Sequence, residues 1–182
     1  DGVRILVATE DRLGLLSTVA GALSLLRLDV RAARVETHNG RALQSWMTVP
    51  TFGDAPADEL LVHEIRQAIA GVTDLEAKLS VRSRTLPVRR GFIPPAPVVR
   101  FLKGASDRAD VLEVRAHDAP ALLWRVTNAL AHVDVDVSGA RVATLGSEVI
   151  DVLYLADGDG SRLSADRLTV VIDAIRAVLA AD

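Results

Sequence analysis

Apolar residues alternate through Val3, Ile5 and Val7, a period of two that predicts a strand. The period then lengthens. Leu15, Leu16, Val19, Leu23 and Leu26 recur at helical spacing, and Asp11 stands where the N-cap of that helix is expected. Asp29 to Thr37 predicts a second strand with Ala33, Val35 and Thr37 on one face. Asn39-Gly40 is a two-residue hairpin signal, and Arg41 to Val49 follows as a third strand. Pro50 to Pro56 is turn-like. Leu61, Ile65, Ala68, Ile69 and Val72 form the stripe of a second helix, and Ala77 to Arg84 is expected as a fourth strand. The order β-α-β-β-α-β is the ferredoxin-like plan, so the expected class is α+β.

The pattern then occurs again. Asp11-Arg-Leu-Gly-Leu-Leu16 matches Asp118-Ala-Pro-Ala-Leu-Leu123, and the match runs on without a gap. It pairs Val19 with Val126, Leu23 with Leu130, Asp29 with Asp136, Val30 with Val137, Arg34 with Arg141 and Thr37 with Thr144. A repeat this long is no solenoid unit; it reads as two copies of one small domain. The second copy predicts a strand over Val111–Ala116, a helix from about Ala119, and a strand over Val135–Thr144. A turn at Gly146, a strand over Glu148–Leu155 and a loop at Asp157-Gly-Asp-Gly-Ser161 come next. A last helix carries Leu168, Val171, Ile172, Ile175 and Leu179. No fourth strand follows. The apolar segment Val98–Lys103 precedes the copy instead, and a hairpin would lay it antiparallel to the first strand. It is expected to replace the missing strand, because an open edge beside a central strand is a liability. The expected division is a first domain over 1–86, a linker over 87–97 and a second domain over 98–182.

The linker region holds Pro87, Pro94, Pro95 and Pro97 and should be extended and stiff. From Ala77 to Ser106 there is no acid, against Lys78, Arg82, Arg84, Arg89, Arg90, Arg100 and Lys103. Two readings stand: a solvated linker, or a docking strip for an acidic partner.

Composition narrows the classes. The 182 residues allow one ordinary domain or two small ones, and a net charge of -3 argues against a nucleic-acid protein. An RNA-binding version of this fold also needs stacking aromatics, and aromatics are 3%. There is no Cys, hence no disulfide, thiolate catalysis or Cys-held zinc, which fits a cytoplasmic setting. The longest uncharged stretch, Leu13–Leu26, has the length of a buried helix rather than a membrane span. The start at Asp1, without Met, suggests a piece of something longer. His117-Asp118 has no companion ligands: His38, His63 and His132 are not in ligand-like spacing. The Asp157 loop lacks the terminal Glu of a calcium loop, its place being taken by Leu168. No nucleophile-base pair, metal cluster or phosphate loop is visible, so neither catalytic residues nor metal or cofactor are expected in this stretch.

The candidate site is the strand-to-helix junction. A helix N-terminus with its N–H groups pointing outward suits a carboxylate, and Asp11 could take an ammonium group. Gly14 lets a ligand approach the backbone. The structural alternative is that Asp11 and Asp118 are only caps.

These junctions resemble the Asp-Arg-Pro-Gly-Leu-Leu motif that opens ACT domains, small βαββαβ regulatory modules that bind amino acids. Ala105 to Asp118 and Ser138 to Tyr154, together with the tandem arrangement, are similar to the ACT pair of bifunctional PII uridylyltransferase/uridylyl-removing enzymes. The resemblance covers essentially the whole chain. It implies two ferredoxin-like ACT domains in tandem that act as a glutamine sensor of nitrogen control. It also implies upstream nucleotidyltransferase and metal-dependent phosphohydrolase domains, with magnesium there, and the PII protein as partner. Transfer of a uridylyl or an adenylyl group is left open. So are L-glutamine versus another small amino acid as ligand, and a ligand-free docking role.

The site residues implied are Asp11, Arg12, Leu13, Gly14, Leu15 and Leu16 in copy one. In copy two they are Asp118, Pro120, Ala121, Leu122 and Leu123. The ligand in ACT pairs often sits between modules, which makes Val30, Arg31 and Ala32, and Val137, Ser138 and Gly139, the second walls. Copy one departs from the motif at Leu13; copy two has Ala119 and Ala121 in place of Arg and Gly. The methyl of Ala121 leads to the expectation that copy one binds better. Edge pairing of the copies would give an eight-stranded sheet, within the pair or across a homodimer.

Overall fold

The computed structural model describes residues 2–83 and 95–180, with the side chains of 82 and 83 left aside. The first half is β1 (Val3–Glu10), α1 (Leu15–Leu25), β2 (Leu28–His38), β3 (Arg41–Pro50), α2 (Asp58–Ile69) and α3 (Leu75–Ser83). The second is β4 (Val98–Phe101), β5 (Asp110–His117), α4 (Leu122–His132), β6 (Val135–Leu145), β7 (Glu148–Asp157) and α5 (Ala165–Leu179). All seven strands join one antiparallel sheet in the order β1-β3-β2-β6-β7-β5-β4. The chain is therefore α+β, compatible with ferredoxin-like repeats.

Alternation decides which face of each strand is covered. Ile5, Val7, Ala33, Val35, Ala42 and Trp46 are buried in the first half, and Leu112, Val114, Val142, Val149 and Leu153 in the second. Their neighbours Leu6, Leu43 and Met47 point the other way and are exposed. Asn39 and Gly40 both take positive φ, 50° and 71°, as a tight hairpin turn requires.

Three expectations need correction. Ala77–Arg84 is not a strand: 75–83 is helix α3, and residue 84 lies outside the described residues. Leu75 and Leu79 stand four apart, Leu79 is buried and Val81 is 64% exposed, a helical and not an alternating pattern. Asp74 caps the helix, its Oδ1 accepting from Ala77 N at 2.9 Å. Val72 is not part of the second helical stripe; it lies beyond α2 and is exposed. The sheet has seven strands rather than eight, because the described residues put nothing on the outer edge of β1. In the second half β4 does pair antiparallel with β5, Val99 opposite Val114, and closes the equivalent edge. The linker expected over 87–97 lies outside the described residues except for 95–97.

The halves join through β2 and β6. Arg34 lies opposite Arg141, Ala33 opposite Val142 and Val35 opposite Ala140, so equivalent residues of the repeat face one another about a local two-fold axis. Across the same axis α1 packs on α4. Gly21 makes this possible: a Cβ there would stand 2.8 Å from Trp124 Cδ1.

Candidate functional site

The two-fold arrangement carries the start of each long helix to the second strand of the other half. Two cavities result. The first, about 10 Å³, is lined by Asp11, Arg12, Gly14, Leu15 and Leu16 at the entry of α1, with Val135, Asp136 and Val137 of β6 opposite. Ser17, Val35, Gln44 and Thr127 complete it. The second, about 60 Å³, sets Asp118, Ala121, Leu122 and Leu123 against Leu28, Asp29 and Val30 of β2, with Trp124, Val142, Thr144 and Val149 beside them.

Most of the sequence-selected residues thus meet in pairs of walls, and some do not. Leu13 is exposed and lines neither cavity; Pro120 is also exposed. Arg31 and Ser138, at equivalent positions, fall where the register slips between Val30 and Ala32 and between Val137 and Gly139. These bulges bend each second wall at the cavity, a common place for them. Ala32 and Gly139 are taken up in the β2–β6 pairing. Arg12 lines the first cavity, but its guanidinium donates to the carbonyl of Ile69 at the end of α2.

Neither aspartate is a helix cap, which corrects that expectation. The helices start later than expected, at Leu15 and Leu122. Their cap positions are Gly14 and Ala121, both left-handed, with φ of 76° and 54° and no side-chain cap hydrogen bond. The helix N-termini therefore face the cavities without a competing side-chain acceptor. Gly14 is required by its φ more than by space: a Cβ there would meet Ala131 Cβ only at 3.5 Å, an ordinary contact. Ala121 takes the same conformation against the preference of a residue with a Cβ.

The acidic pairs are the electrostatic core. Burial, then the nearby Asp11 carboxylate, raises the pKa of Asp136. Burial, then Asp29, raises that of Asp118, although Asp118 sits at its cavity's mouth with one side toward solvent. Asp29 accepts from Thr51 Oγ1 at 3.0 Å and lies 3.8 Å from Arg31. Each cavity thus couples a helix N-terminus, suited to an anion, with two carboxylates, suited to a cation. Among the described residues no three His, Cys, Asp or Glu gather that could hold a metal, and no helix is long and apolar enough to cross a membrane.

Asp29 and Asp136 were not selected from the sequence, although the repeat aligns them. The missing signal was spatial: only the β2–β6 pairing brings each to the other half's helix. Gln44 and Asp151, equivalent positions of β3 and β7, were missed for the same reason. Gln44 lines the first cavity and accepts from Trp46 Nε1 at 3.2 Å. Asp151 is wholly buried, and neither of its oxygens has a hydrogen-bond partner.

No family model matches the chain. A bifunctional uridylyltransferase/uridylyl-removing enzyme of Streptomyces coelicolor is 37% identical over 177 residues, 93% of this chain and 21% of that protein. The enzymes so named from Rhodospirillum rubrum and Mycobacterium tuberculosis (strain H37Rv) are 34% and 32% identical over 87% and 84% of the chain, which cover 18% and 21% of their lengths. An unknown protein from Galdieria sulphuraria aligns structurally over 97% of the chain at 16% identity, with a TM-score of 0.33. Over most of its length, then, the chain is a homologue of bifunctional uridylyltransferase/uridylyl-removing enzymes, and it spans about a fifth of the length of those relatives.

Proposed function

We propose that the chain is the amino-acid-sensing regulatory module of a PII-modifying nucleotidyltransferase and nucleotidyl-removing enzyme, built as two ACT domains in tandem, with L-glutamine as the favoured ligand. One observation carries this reading: two equivalent cavities, each made from an uncapped helix N-terminus of one half and an acidic second strand of the other. An α-amino acid presents a carboxylate and an ammonium group on one carbon, the two charges these walls complement. The names of the relatives supply the enzyme; its catalytic groups lie elsewhere in the parent, with magnesium there, and PII is its partner.

At about 10 and 60 Å³ the cavities are tight, and both are open to solvent on one side. A ligand that fits better with the halves moved apart at the helix entries favours that arrangement, and the displacement is the allosteric signal. The larger cavity lies in copy two despite the Ala121 methyl. The test is calorimetric titration with L-glutamine, with glutamate, asparagine and serine as controls. Saturable, glutamine-selective heat that Gly14→Val or Ala121→Val diminishes supports the sensor; no heat with any amino acid refutes it.

A second reading is a docking module without ligand. The exposed Leu6, Leu43 and Met47 on the outer sheet face favour it, and it predicts PII or catalytic-domain binding that glutamine leaves unchanged.

A further inference from the structure

The two cavities share one plan but differ beneath. Gln44, bonded to Trp46, lines the first cavity; its equivalent in the repeat, Asp151, stands behind the lining of the second cavity and is not part of it. Asp151 lies in register between Val114 of β5 and Val142 of β6. It shares the helix-covered side of β7 with Val149, and both Val142 and Val149 line the second cavity. A fully buried carboxyl with two unpartnered oxygens is costly as an anion and is stable only with its proton on.

We propose that the second cavity is a proton-coupled site: Asp151 holds a proton while the cavity is empty, and an ammonium group docking against Asp118 and Asp29 drives that proton to solvent. This rests on the amino-acid reading above and names what distinguishes the second site within it.

On the helix-covered side β5 carries Asp110, which Arg162 and Leu163 N hold, and its end at His117 leads into Asp118. Glu113 and Arg115 lie on the other side of β5, β6 carries Asp136 and Arg141, β2 carries Asp29 and Arg31, and α4 carries Arg125 and His132. The adjoining α1 has no charged residue, and α5 turns Val171 and Ile175 to the core. Of these groups Asp118 acts on Asp151. Burial first, then the Asp118 carboxylate, pushes the Asp151 carboxyl up to about 8. An ammonium group beside Asp118 cancels that like-charge repulsion. The ionised form of Asp151 becomes less unfavourable, while the larger cost, burial, stays. The sign follows from linkage: a ligand that expels a proton binds more tightly as pH rises, until Asp151 is ionised without it. The first cavity, with Gln44 in the equivalent place, lacks this coupling.

The test is calorimetry of the whole chain with L-glutamine at pH 7 in phosphate and in Tris, whose ionisation heats differ. A second-site heat that depends on buffer, reporting release of a fraction of a proton per ligand, is expected. Asp151→Asn should abolish the buffer dependence while retaining binding, and N-acetyl-L-glutamine, without the ammonium group, should release none. Glutamine binding with no buffer dependence, or with the same dependence in Asp151→Asn, overturns the proposal and leaves the sensor reading standing. The absence of any amino-acid binding overturns both. Carboxyl carbon NMR of the empty protein reads the acid directly: Asp151 should titrate near pH 8 and lower in Asp118→Asn. Titration in the ordinary carboxylate range overturns the proposal whatever binds.

Discussion

At the residue scale, two positions of the repeat show how far identical backbone can be reached by different side chains. Gly14 and Ala121 both hold the left-handed conformation that turns the chain into a helix. For a residue with a Cβ that conformation costs roughly 1–2 kcal/mol, offset in part by the greater freedom glycine loses on folding. Ala121→Gly is therefore expected to stabilise the chain by about 0.5–1 kcal/mol and Gly14→Ala to destabilise it by about 1 kcal/mol. Urea unfolding measures both; a loss of stability in Ala121→Gly would contradict the strain argument. Asp151 makes a pH-dependent prediction. Its folded pKa is raised above the unfolded value, so the folded state binds the extra proton and stability falls as pH rises from about 4 to about 8. Asp151→Asn should remove that fall, so that its stability relative to the unaltered chain rises by several kcal/mol between pH 4 and pH 8. Unfolding curves at the two pH values that shift equally would contradict it.

At the element scale, periodicity made β1, α1, β2, β3 and their second-half counterparts legible in the sequence. Each buries one face, and burial on one face is what alternation records. The edge strand β4 was legible because a bare β5 edge demanded a partner. α3 was misread because a short apolar segment carries both periods. Leu79 and Val81 suggest alternation, and the decisive signals were the four-residue spacing of Leu75 and Leu79 and the Asp74 cap. The helix starts were misplaced for a related reason. An Asp before an apolar run is a common cap, and only the geometry shows the chain running three residues further to a left-handed turn. The α1–α4 contact was not legible at all, since nothing local marks Gly21 as the point of closest approach. Gly21→Ala should clash with Trp124 and Leu75, lower stability by about 1–3 kcal/mol and shift the Trp124 fluorescence. Unchanged stability would show that the two helices can separate freely.

At the scale of the whole molecule, the β2–β6 seam does two jobs. It makes one sheet of two repeats, and it carries the acidic start of each second strand to the other repeat's helix. The walls of the candidate site could be named from the sequence only as segments. Which residues of β2 and β6 face a cavity depended on the bulges at Arg31 and Ser138, which no pattern announces. The same seam explains how occupancy could be read at a distance, because opening either cavity shifts α1 relative to α4 and so the two halves relative to each other. The most direct measurement is a crystal structure of the chain grown with L-glutamine. Glutamine is expected between the halves, its carboxylate at the start of α4 or α1 and its ammonium against Asp118 and Asp29 or Asp11 and Asp136, with the helix entries moved apart. Unchanged, empty cavities at saturating glutamine would contradict this expectation.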